Sequence, residues 1–111
     1  MQLSAVLGWL FVSALLEAGG DAFVRAGLRT PSALTRALLF VVGGIVLFGY
    51  GYFVNAVPWN FGRVLGLYLV FFFVVAQLIS WLVFGQPPSR GVLLGGVFIV
   101  LGGVIIAWST S

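Results

Sequence analysis

The chain has 111 residues, 62% of them hydrophobic and 6% charged, with a formal net charge of +3 and a mean hydropathy of +1.24. Soluble domains carry about 25% charged residues, so this chain cannot cover a water-facing surface, and its five arginines are too scattered for a nucleic-acid patch. Cysteine and histidine are absent, which excludes disulfides and the Cys/His sites that usually hold zinc. The composition is that of an integral, multi-pass membrane protein, expected in the inner (cytoplasmic) cell membrane.

A spanning helix needs about 20 predominantly apolar residues, and four stretches qualify. The fold class expected is an all-α membrane protein: one four-helix transmembrane domain over residues 1–111, with short loops. The first span runs from about Leu3 to Val24. It is preceded by no basic n-region and contains no small-residue cleavage site, so it reads as a span retained in the mature protein rather than a signal peptide. It carries Glu17 and Asp21, the two acids of the chain. The second span runs from about Ala33 to Val54. The third, Val64 to Phe84, is the most hydrophobic and includes Phe71, Phe72 and Phe73. The fourth, about Gly91 to Trp108, holds no charge.

Turn chemistry marks the breaks. Gly27 to Ser32 combines a glycine stop, Pro31 and a possible cap at Ser32. Asn55 to Asn60, with Pro58, separates the second and third spans. Gly85 to Arg90, with Pro87 and Pro88, separates the third and fourth. Arg25, Arg29, Arg36 and Arg90 flank loops one and three, whereas Arg63 alone flanks loop two. The positive-inside rule then places loops one and three in the cytoplasm and both termini outside. Trp59 and Trp108 fit an interfacial aromatic belt; Trp9 and Trp81 sit deeper, where they could line a cavity.

Glu17, Asp21 and Arg25 recur every four residues, which puts them on one stripe of the first helix. An ionisable side chain inside a membrane span costs about 2.5–3.5 kcal/mol on insertion scales, which makes it a functional-site hypothesis. Asp21 and Arg25 are expected to pair. Glu17 is the deeper acid and has no evident partner in sequence. A carboxylate in apolar surroundings can exchange a proton for a cation, the minimal chemistry of a proton-coupled exporter. Tyr68, with Tyr50, Tyr52 and Phe71 to Phe73, supplies aromatic surface suited to a lipophilic cation. Glu17, Asp21, Tyr68 and Ser13 form the expected proton- and substrate-binding set. Arg63 is expected to snorkel to the interface or to pair with an acid of another subunit. In the fourth span Gly95 and Gly102, like Gly96 and Gly103, lie seven apart and give a smooth side for close packing. That side suits a dimer seam, giving an eight-helix bundle, or packing within the chain.

These features resemble the small multidrug resistance transporters of the drug/metabolite transporter superfamily over nearly the whole length. Ala14-Leu15-Leu16-Glu17 is similar to the segment holding that family's essential glutamate, with Arg25 at its basic position eight residues on. Ser80 to Gln86 is similar to its third-helix exit, and Gly96 and Gly103 match its fourth-helix glycine pair. In the third helix Leu65 and Tyr68 stand where the family has tyrosine and tryptophan, and Val70 and Phe72 replace its hinge glycines. Asp21 replaces a small hydroxyl residue. Pro58, Gly62, Arg63 and Val64 instead resemble a sister four-helix family. The resemblance implies an antiparallel dimer, with both copies of Glu17 in one cavity and with protons and substrate competing for them. The four-to-one arginine bias fits poorly with dual insertion, and points instead to a parallel dimer or a paired homologue.

The expected function is proton-coupled export of small cationic or amphipathic compounds, with no cofactor and no metal. The alternative is a non-enzymatic membrane subunit or lipid-carrier flippase component in which Glu17, Asp21 and Arg25 form a structural polar ladder. No nucleophile–base pair or phosphate-binding loop points to an enzyme.

Overall fold

A computed structural model of the protein describes residues 1–109. Among these residues there are four helices and no strands: α1 (Leu3–Leu28), α2 (Ala33–Asn55), α3 (Phe61–Leu82) and α4 (Arg90–Ala107). All four are long and apolar enough to cross a membrane, as their composition requires. At 1.5 Å per residue α1 is about 39 Å long, more than the roughly 30 Å hydrocarbon core, so it tilts or protrudes.

The boundaries follow local chemistry. Ser32 and Ser89 cap α2 and α4 by accepting from the backbone N–H groups of Thr35 (3.4 Å) and Val92 (3.2 Å). The glycine stop expected at Gly27 is absent, because α1 continues to Leu28 and Gly27 is used for packing. A Cβ at Gly27 would lie 2.7 Å from Cε1 of Phe40 on α2. The third helix ends at Leu82, two residues short of the expected span. There Gly85 adopts a left-handed φ of 65°, and its N–H donates to the Trp81 carbonyl at 3.1 Å. This is the αL cap that glycine accommodates without a Cβ clash.

Successive helices run antiparallel, which puts both termini at one end and loops one and three at the other. Glycine sets the closest approach of α1 and α2. A Cβ at Gly20 would lie 3.2 Å from the Gly43 carbonyl oxygen, and one at Gly43 would lie 3.0 Å from that of Gly20. Near the terminal end, Trp9 stacks on Phe53 at 3.8 Å between ring centroids and donates its indole N–H to the Phe53 carbonyl. The buried residues of α1 and α3, with Val54 and Val57, form the core.

The helices are arranged in the order α2, α1, α3, α4, with α4 packed principally on α3. The molecule measures 50 × 34 × 18 Å, a slab less than two helix diameters thick. It is a row of helices rather than a closed four-helix bundle. Gly96 and Gly103 lie in the α3–α4 contact, facing Phe73 and Val70. The notion that all four glycines of α4 serve a dimer seam therefore divides: Gly96 and Gly103 are consumed within the chain, while Gly95 and Gly102 face open space. The 100° step between adjacent helix residues separates the two pairs.

Candidate functional site

Glu17 lies about 21 Å along α1 from Leu3 and about 16 Å from Leu28, close to the middle of a membrane of ordinary thickness. Its neighbours come from α3, which runs parallel to α1. Tyr68 is 2% exposed, and its hydroxyl donates to Glu17 Oε1 at 2.8 Å. The same hydroxyl lies 3.5 Å from the Ser13 carbonyl oxygen. Ser13 is fully buried, but its own hydroxyl donates to the Trp9 carbonyl at 2.9 Å. Ser13 therefore offers the site its backbone carbonyl, while its side chain is satisfied inside the helix. Tyr50 of α2 and Phe72 of α3 flank Tyr68 at centroid distances of 5.3 and 6.1 Å. Tyr52 points outward and is 74% exposed.

One turn beyond Glu17, Asp21 lines a cavity of about 230 Å³ between α1 and α3, at the end where loops one and three lie. Small side chains make the space: Ala18 and Ala22 on α1 and Ala76 on α3. Arg25, Phe84 and Gln86 surround its loop-three mouth. The Ser80 hydroxyl donates to the Gln86 carbonyl at 3.0 Å and fixes the turn that carries Phe84.

Asp21 and Arg25 share this cavity but do not pair. The Arg25 guanidinium instead sits over the Phe84 ring, with its carbon 5.2 Å from the centroid. Among the described residues neither acid forms an ion pair. The reason is geometric: Phe84 leaves the helix at the αL turn and presents its ring to the end of α1, where a guanidinium gains a cation–π contact.

Arg63 lies at the ends of α3 and α4, beside Trp59, as a side chain reaching for the interface does. Its guanidinium stacks 3.7 Å from the Trp59 ring centroid, and Nη2 donates to the Ala107 carbonyl at 2.9 Å. Arg63 thus ties the start of α3 to the end of α4 and belongs to the terminal end, away from the acids. Trp81 is 54% exposed and lines none of the cavities described here. Sequence reasoning missed Phe84 and the alanines as cavity residues. Ala18 and Ala22, each following an acid and four residues apart, carried the signal: a small-residue stripe beside the carboxylates leaves room for something else.

The chain matches no protein-family model and no solved structure. It is similar to a UPF0060 membrane protein of Clostridium perfringens (strain SM101 / Type A), 29% identical over 103 residues, covering 91% of this chain and 90% of that protein. It is also similar to a UPF0060 membrane protein of Clostridium beijerinckii (strain ATCC 51743 / NCIMB 8052), 25% identical over 111 residues and covering 98% and 97% of the two chains. With four helices able to span a bilayer and relatives named as membrane proteins over nearly their full length, the chain is a small multi-pass integral membrane protein.

Proposed function

We propose that the protein is a proton-coupled exporter of small cationic or amphipathic compounds, in which proton and substrate take turns at Glu17. The observation that carries this reading is a carboxylate near mid-membrane, unpaired by any arginine among the described residues and held by the Tyr68 hydroxyl at 2.8 Å. A charge left there without a cation partner is costly, so the site is neutral either when protonated or when an organic cation lies against it. Arrival of one monovalent cation releases one proton, and the charge of the site is conserved. The cavity beside Asp21 lies one turn from Glu17 toward the loop-one and loop-three end, and the aromatic group around Tyr68 supplies the apolar contact such a cation needs.

The slab shape supports a second copy as partner, because a single row of helices leaves the α1–α3 site unenclosed on one side. The structural-ladder alternative loses its central contact, since Arg25 rests on Phe84 and not on Asp21. The test is Glu17→Gln in reconstituted vesicles carrying a pH gradient, with benzyltrimethylammonium as the transported cation. Transport is abolished while membrane insertion and helix content are unchanged. Undiminished proton-coupled transport by the variant refutes the proposal.

A further inference from the structure

The Arg25–Phe84 contact has no role in the exchange at Glu17. An arginine beside an aspartate in a membrane protein normally pairs with it, yet here the guanidinium is over an aromatic ring in the wall of a cavity that also contains Asp21. A ring face that holds one cation, next to a carboxylate and in a space of about 230 Å³, is built to hold another.

We infer that Phe84 and Asp21 form a cation subsite at the loop-three mouth of the cavity, and that Arg25 fills it as a stand-in until an organic cation displaces it. This rests on the reading that the cavity takes a cation, and it adds a site distinct from Glu17. The ligand class follows from the geometry: a weakly hydrated monovalent cation, able to lie on a ring as the guanidinium does. Displacement is mechanically simple. Arg25 lies in the last turn of α1, and its long stem reaches the polar end of the membrane where Arg29 and Arg36 lie. Position also matters, because Asp21 is one helical turn and Arg25 two turns from Glu17, and both line the cavity at the loop end.

The experiment is equilibrium binding of benzyltrimethylammonium to the purified full-length protein, comparing wild type, Arg25→Gln, Phe84→Leu, the Arg25/Phe84 double variant and Glu17→Gln. Phe84→Met serves as a second version of the ring removal, and helix content is checked throughout. Removing the stand-in tightens binding by about 3- to 30-fold, the range of a single cation–π contact. That gain disappears on the Phe84→Leu background, where there is no ring to compete for. Equal affinities for wild type and Arg25→Gln overturn the inference. So does an identical gain with and without the ring, which would report simple charge repulsion. Absence of binding by every variant also overturns it. The two readings fail separately: Glu17-dependent binding that ignores Arg25 removes the stand-in and leaves the exporter. Binding that responds to Arg25 and Phe84 but is indifferent to Glu17→Gln does the reverse.

Discussion

Gly103→Ala and Gly102→Ala make the same chemical change at adjacent positions of α4, and the structure assigns them different outcomes. A Cβ at Gly103 would clash directly with Cγ2 of Val70, whereas one at Gly102 meets nothing within 4 Å. Val70 is β-branched and on a helix, so its χ1 has little freedom to yield, and α4 must move away. Overpacking of this kind costs about 1–3 kcal/mol. Both substitutions recover about 1 kcal/mol of helix propensity. Because that gain is common to the pair, the difference between them isolates the strain, and Gly103→Ala is the less stable by about 1–3 kcal/mol. The assay is unfolding in detergent by added SDS, followed by helical circular dichroism, at several protein concentrations. Concentration dependence shared by wild type and Gly103→Ala but lost in Gly102→Ala would mark the open face as the one that meets another copy. Equal stabilities for the two variants refute the assignment of Gly103 to the α3–α4 contact.

Tyr68→Phe removes the donor that holds Glu17 Oε1. A hydrogen bond to a charged group contributes about 1.5–3 kcal/mol, so cation transport in vesicles falls at least about tenfold with no change in helix content. Transport equal to wild type would show that the contact is incidental. Gly85→Ala forces a Cβ into a left-handed conformation at a cost of about 1–2 kcal/mol; it lowers stability in the same SDS assay, and a neutral result would mean the turn relaxes freely. Cysteines introduced at Ser4 and at Ser32 test topology in intact cells. The arginine distribution gives labelling from outside at Ser4 only, and labelling of both positions would establish dual insertion.

The number, type and approximate limits of the helices were legible in the sequence because a bilayer demands long apolar runs, and short loops rich in proline and glycine separate them. The central carboxylate was legible for the same reason, since Glu17 violates the pattern. Which partners meet was less so. Glu17 and Tyr68 are 51 residues apart, and their hydrogen bond depends on α1 and α3 lying side by side, an order that hydropathy does not encode. The Asp21–Arg25 expectation followed a correct helical spacing but lacked a competitor for the guanidinium. Phe84 enters only because Gly85 reverses the chain there. The glycines of α4 show the same limit: seven-residue spacing identifies a smooth side, but choosing between two adjacent pairs requires knowing where α3 lies.

The crossing of Gly20 and Gly43 has a mechanical consequence. Backbone meets backbone there, at the level of the two acids, and the Trp9–Phe53 contact pins the same helix pair further along. Two separate points along their length thus hold α1 against α2 as one paddle. The α3–α4 pair is similarly joined, by Arg63 at one end and by Gly103 and Gly96 along the seam. The two pairs meet across the α1–α3 interface, where the buried core and the Tyr68–Glu17 hydrogen bond lie. Glu17 therefore stands on the seam that joins the two helix pairs, and a change at that carboxylate bears on the contact between them.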